Sequence, residues 1–170
     1  DDALRMKIDE NSRISLSNND SGTSNTIFGK LAGASLDAGS NYNVFIGEAV
    51  SDATMNDAIQ NVGIGYQALT DLTEGDYNIC IGTNAGANIT TGDENVAIGN
   101  STLLTATATN LCVAIGSGAG DAINHADAVG STLIGSYAGS ELTSGQGSTA
   151  LGQNALLSVT TGDYNTALGL

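Results

Sequence analysis

Proline and tryptophan are missing from the 170 residues, and only seven side chains are aromatic, five Tyr and two Phe. Globular cores lean on bulky rings for buried area, so this chain must fill its interior with Ile, Leu, Val and Ala. No apolar run approaches the ~20 residues that cross a bilayer as a helix, which argues against membrane insertion. Basic residues are scarce and confined to one end. The four present, Arg5, Lys7, Arg13 and Lys30, all precede Leu31; from there to Leu170 the chain carries thirteen carboxylates and no Lys or Arg. A surface of that sign repels a phosphate backbone and excludes nucleic-acid binding. It also keeps a repetitive, strand-rich protein soluble and apart from its neighbours. The two cysteines, Cys80 and Cys112, match no zinc or redox spacing.

What the chain has in quantity is glycine, 23 residues of it, and a repeat. Nine copies of a short core read NTIFG (25–29), NVFIG (43–47), NVGIG (61–65), NICIG (78–82), NVAIG (95–99), CVAIG (112–116), STLIG (131–135), STALG (148–152) and NTALG (165–169). Successive core glycines are 18, 18, 17, 17, 17, 19, 17 and 17 residues apart. A period this short and regular predicts an all-β parallel solenoid of about nine coils over 25–170. Each core is a strand, and its glycine is a corner where a side chain would clash or φ is positive. Three residues on stands a small residue, usually Ala; seven on stands Leu36, Leu72, Ile89, Ile123, Leu142 or Val159. Gly39, Gly75, Gly92, Gly145 and Gly162 mark a second turn, so each coil is expected to hold two short strands and two turns. The Asn opening six of the nine cores should stack at ~4.8 Å as a structural hydrogen-bonded ladder. Cys80 and Cys112 then fall two coils apart in different columns, too far for a bridge.

Residues 1–24 differ. In LRMKIDENSRISLS apolar and charged residues alternate on both sides of Glu10–Ser12, which predicts a β-hairpin acting as a cap or connector.

Within each core, the residue before the glycine is always Phe, Ile or Leu, and two before it stands Thr, Val or Ile. Their size and β-branching assign both to the inside of the coil. The middle residue must then face outward. That column reads Ile27, Phe45, Gly63, Cys80, Ala97, Ala114, Leu133, Ala150 and Ala167, without a charge or a hydroxyl. An outward apolar stripe of such length marks an interface, so Ile27, Phe45, Cys80, Ala97, Ala114, Leu133, Ala150 and Ala167 are the expected contacts between chains.

The unit N-[TV]-A-[IL]-G-x-x-A-[GL], often linked through T-T-G-D, resembles the head repeats of trimeric autotransporter adhesins and, more closely, the shaft repeats of bacteriophage tail fibres. The resemblance covers roughly residues 25–170, and RMKIDENSRISLS is similar to modules common in tail fibres. It implies a left-handed β-roll assembled as a homotrimer about a fibre axis; handedness and the number three rest on the resemblance alone. It further implies a structural and adhesive fibre segment of a virion, or the head of a bacterial surface adhesin, holding a surface for a host glycan or protein receptor. Coils of 17–19 residues are longer than many adhesin units. The stop soon after the ninth core is expected to mark a segment of a longer fibre.

Catalysis is the rival reading, since some β-solenoids degrade polysaccharides. The carboxylates here fall in turns (Asp76, Asp93, Asp163) or wider loops (Asp52, Asp57, Asp121, Asp127), and nothing assembles an acid, a base and a nucleophile. The expectation is no enzyme, no cofactor and no metal. His125, the only histidine, lies between Asp121 and Asp127 in the longest coil, too few ligands for a metal. Turn chemistry accounts for the aspartates that follow the turn glycines better than calcium does. Tyr42, Tyr77 and Tyr164 each precede a core Asn and share one edge, where structural packing outweighs stacking against sugars.

Overall fold

The computed structural model describes Gly22, residues 24–126 and 128–170, and the backbone of two short strands, β1 (Lys7–Ile8) and β2 (Ile14–Ser15). These two pair antiparallel, with Lys7 opposite Ser15 and Ile8 opposite Ile14; the rest of the expected hairpin lies outside the described residues. The nine cores form β3 (Thr26–Phe28), β4 (Val44–Ile46), β5 (Val62–Ile64), β6 (Ile79–Ile81), β7 (Val96–Ile98), β8 (Val113–Ile115), β9 (Thr132–Ile134), β10 (Thr149–Leu151) and β11 (Thr166–Leu168). They make one parallel sheet in strict chain order, β3 to β11. Register follows the repeat: Ile64 pairs Ile81, and Ile81 pairs Ile98. Nine strands at a spacing of ~4.8 Å make a stack about 40 Å long.

Each strand ends at its core glycine for two reasons. At Gly99 φ is +138°, and a Cβ there would stand 2.7 Å from the backbone carbon of Gly116 in the next coil. The glycines therefore stack backbone on backbone, and only a residue without a side chain fits.

The expected second strand does not form among the described residues. Past each glycine the second residue has left-handed φ (Leu31, Ala49, Gln67, Asn84, Ser101, Tyr137, Asn154), and so does the fourth (Ser51, Leu69, Leu103, Leu156, or a glycine). A strand needs negative φ throughout, so this wall of the coil is a run of turns. Pairing between coils survives without extension. Ser101 N–H donates back to Thr83 O at 2.9 Å, and Leu103 N–H donates forward to Ala119 O at 3.1 Å.

Asparagine closes the coil where the second turn meets the strand. Asn25 Oδ1 accepts the Asn43 N–H at 2.8 Å, and the pattern repeats from Asn43 to Asn61, Asn61 to Asn78 and Asn78 to Asn95 at 2.8–3.1 Å. Each amide also crosses its own coil: Nδ2 of Asn61, Asn78 and Asn95 donates to the carbonyls of Gly75, Gly92 and Thr109 at 2.7–2.8 Å. Cys112 takes the next rung, with Sγ against Ala128 O at 3.0 Å. Ser131 and Ser148 follow with longer bonds of 3.2–3.4 Å. Burial raises the Cys80 and Cys112 thiols above their ordinary values, and both cysteines are free.

A second ladder runs two residues earlier in each coil, in the reverse direction. Asp76 Oδ1 accepts the Ile59 N–H, Asp93 the Asp76 N–H and Asn110 the Asp93 N–H at 2.6–2.8 Å, and Asp163 takes the Gln146 N–H at 2.8 Å. The Asp of the T-T-G-D linker is thus an acceptor between coils, which is more than a local turn.

Candidate functional site: the outer strand face and the tyrosine corner

The sheet has an inner and an outer face, and the structure reverses the expected assignment. Phe45, Cys80, Ala97, Ala114, Leu133 and Ala150 are fully buried within the single chain, and Ile27 and Ala167 pack against that same core. These eight residues point into the coil and are unavailable to another chain.

The physical reason is lumen volume. The middle column faces the residue four positions past each core glycine, and in most coils the two exchange bulk; beside Ala114 and Gly120, both small, Leu103 and Leu133 of the neighbouring coils take the space. Where the wall carries Leu69, Leu103 or Leu156, the strand supplies Gly63, Ala97 or Ala150. Where the wall carries Gly33, Gly86 or Gly139, the strand supplies Ile27, Cys80 or Leu133. A Cβ at Gly86 would sit 2.6 Å from Cys80 Sγ, and one at Gly139 would sit 2.9 Å from Leu133 Cδ2. The buried Ala column three past the glycine and Leu72, Ile89, Ile123 and Leu142 complete the filling. Small residues in the strand centre record a crowded interior.

Period two then sends both flanking residues of every strand outward. Val62 and Ile64, Val96 and Ile98, and Val113 and Ile115 lie half-buried with the middle residue between them fully buried. Exposure is greatest at the ends of the stack, with Phe28 64% and Leu168 81% exposed, while Ile79 in the middle is 38% exposed. Across β3–β11 the outward positions are Thr, Val, Ile, Leu or Phe, and none carries a charge. The carboxylates stand in the turns. The ion pair of Lys30 and Glu48, at 2.8 Å, also lies off the strands, and its hydrogen bond to Glu48 raises the lysine pKa. An apolar sheet face running the length of the stack is larger than the isolated patches ordinary on a surface.

The other feature is the corner before the ladder. Tyr42, Tyr77 and Tyr164 have φ of +63°, +58° and +54°. The Tyr77 N–H donates back to Ile59 O at 3.1 Å and the Tyr164 N–H to Gln146 O at 2.7 Å. The three rings remain accessible, at 63%, 48% and 71%. Two shallow hollows open beside this corner. One, about 380 Å³, is bounded by Tyr77 and Glu94; the other, about 400 Å³, by His125, Ser144, Gln146, Thr161 and Asp163. Tyr164 Oη reaches Gln146 Oε1 at 3.1 Å.

His125 is exposed on the rim of the second hollow. Asp121 lies in the same coil, half-buried; burial raises its carboxyl pKa and leaves Oδ1 without a hydrogen-bond partner. Asp127 lies outside the described residues. Among the described residues no three His, Cys, Asp or Glu side chains converge as metal ligands, and no helix is long and apolar enough to cross a membrane.

Sequence reasoning missed the flanking residues as the outward set. The signal was present in the inverse sizes of the middle column and the wall. Comparison of the chain with protein-family models, with curated proteins and with solved structures finds no match.

Proposed function

We propose that this protein is a structural and adhesive fibre segment whose coils associate, chain to chain, through the outer strand face. The observation that carries the reading is that face: nine strands, two outward positions each, apolar or threonine throughout and free of charge. Such a surface gains roughly 25 cal/mol for each Å² of apolar area withdrawn from water, and the gain repeats at every coil. Its partner is a further copy of the same chain. A partner with matching period and rise meets every rung in register, and the acidic turns then spread outward into solvent, where like charges separate.

Three copies about one axis follow from the resemblance of NVAIG-type repeats to tail-fibre shafts and adhesin heads, as does a place on a virion or a bacterial surface. A narrow flat face on each rod suits closure around an axis, which leaves no apolar strip uncovered. The test is the solution mass by light scattering at micromolar concentration. Three chains of 17.0 kDa are expected, and a single-chain mass would count against the reading.

A further inference from the structure

Tyrosine stands at the corner where the backbone favours it least. The residue before each ladder position is left-handed in every coil; Ser24, Gln60, Glu94 and Leu111 share the column with the three tyrosines, and Gly130 and Gly147 fill it with φ of +73° and +59°. Glycine or asparagine suits this conformation, whereas a ring-bearing residue is strained in it. The hydrogen bond that holds the corner uses only the backbone N–H, so it does not require Tyr. The Tyr164 ring lies along Gly147, where a Cβ would meet Cδ1 at 2.8 Å, and the residue is still 71% exposed. Tyr42 and Tyr77 keep about half or more of their surface in water. The column accepts Ser, Gln, Glu, Leu and Gly equally, so the fold does not require a ring there, and the exposed rings are free to meet something else.

Spacing and chemistry narrow that partner. Tyr42 and Tyr77 are two coils apart, about 10 Å along the stack, and the hollow between Tyr77 and Glu94 continues the same edge. Further along lie Gln146 and Asp163, polar groups that bond hydroxyls in either direction. A tyrosine ring presents an apolar face with a polar tip, held by only two side-chain torsions. That combination fits the C–H face of a sugar with hydroxyls at its rim. Glu94, Asp163 and the carboxylate ladder beside them repel any polymer bearing carboxylates, phosphates or sulfates.

We propose that this corner is a rail for a neutral polysaccharide lying along the stack axis, with Tyr42 and Tyr77 as stacking platforms. The proposal deepens the adhesive part of the function above and does not depend on the strand-face association.

The test is affinity electrophoresis of the native chain through gels containing dextran, mannan or galactomannan, with polygalacturonate as the acidic comparison. At least one neutral polymer should slow the wild type by twofold or more, and polygalacturonate should not. The Tyr42→Asn/Tyr77→Asn double variant should regain free mobility with its thermal midpoint unchanged or raised, because Asn tolerates the left-handed backbone. Unhindered passage through all three neutral gels would overturn the rail, as would equal retardation by polygalacturonate or retardation persisting in the variant. A lower midpoint in the double variant would assign the tyrosines to packing and overturn it too. Light scattering on the same samples separates the two readings: an assembled wild type that ignores all three polymers sinks the rail and leaves the fibre segment standing.

Discussion

The lumen of the coil and the outer face of its sheet are both apolar, yet they are built to different rules. Inside, bulk is traded between walls: Gly63 against Leu69, Ala97 against Leu103, and Cys80 against Gly86. Outside, nothing compensates. The position before each glycine is Phe, Ile or Leu in every coil, and the position two earlier is Thr, Val or Ile. A packed interior varies in a correlated way because each cavity must be filled. A surface that meets identical surfaces stays uniform because every rung faces an equivalent rung. The difference identifies the lumen as the face that folds the chain and supports the proposal that the outer face joins it to another.

The lumen should therefore be the more damaging place to cut. Leu103→Ala opens a cavity that backbone stacking cannot collapse, and about 2–5 kcal/mol of stability should be lost in urea unfolding. Ile98→Ala, five residues away on the outer face, should lower the assembled mass before it alters the fold; equal behaviour of the two variants would erase the distinction. Ala114→Arg belongs with the lumen set, and it should prevent folding because its charge would be buried without a partner.

The ladder comes next. Asn78→Ala removes the acceptor of the Asn95 N–H and a donor to Gly92 O, leaving buried backbone groups unpaired. About 1–3 kcal/mol should be lost, as read by the denaturant midpoint. Ser148→Ala should cost less, because its bonds are longer and lie near the accessible end of the stack. Two residues before that ladder, on the part-buried turn, Asp93→Ala should cost about 0.5–1.5 kcal/mol, since water replaces the lost acceptor of the Asp76 N–H.

The smallest effect is acid dependence at Asp37. Its carboxyl is held below the ordinary value by the Ser40 hydroxyl first, and by backbone N–H groups of Asp57 and Ser40. A depressed folded pKa means stability that is present above the unfolded value of 3.8 and lost as pH falls through the folded one. Asp37→Ala should thus lower stability slightly near neutrality and flatten the acid end of a stability–pH curve below about pH 4, where the two proteins converge. An unchanged acid limb would show that this loop contributes nothing.

Much of this was legible in the sequence. Nine strands, their parallel order and their register follow from the glycine spacing, because a solenoid repeats one coil and the spacing is the coil. Orientation was not legible by residue size. In Val-Ala-Ile both faces are apolar, and the larger residues pointed out because the lumen was already filled, by Leu103 opposite Ala97 and by Leu103 and Leu133 of the adjacent coils beside Gly120. The absent second strand was hidden for another reason. Left-handed backbone at Leu31, Gln67, Leu69 and Leu103 is imposed by stacking between coils, and those residue types give no local sign of it. The tyrosine corner was visible as a column in the sequence, but its strained backbone and its exposure were not.

Coverage of the outer face can be read directly by thiol labelling, since both natural cysteines are buried. Ile98→Cys and Glu94→Cys should be treated with a maleimide under native conditions at micromolar concentration. Glu94→Cys, in the exposed turn, should react at once. Ile98→Cys should stay protected until dilution or urea separates the chains. Labelling of Ile98→Cys as fast as Glu94→Cys in the undiluted protein would contradict the account, because the face would then be open to water.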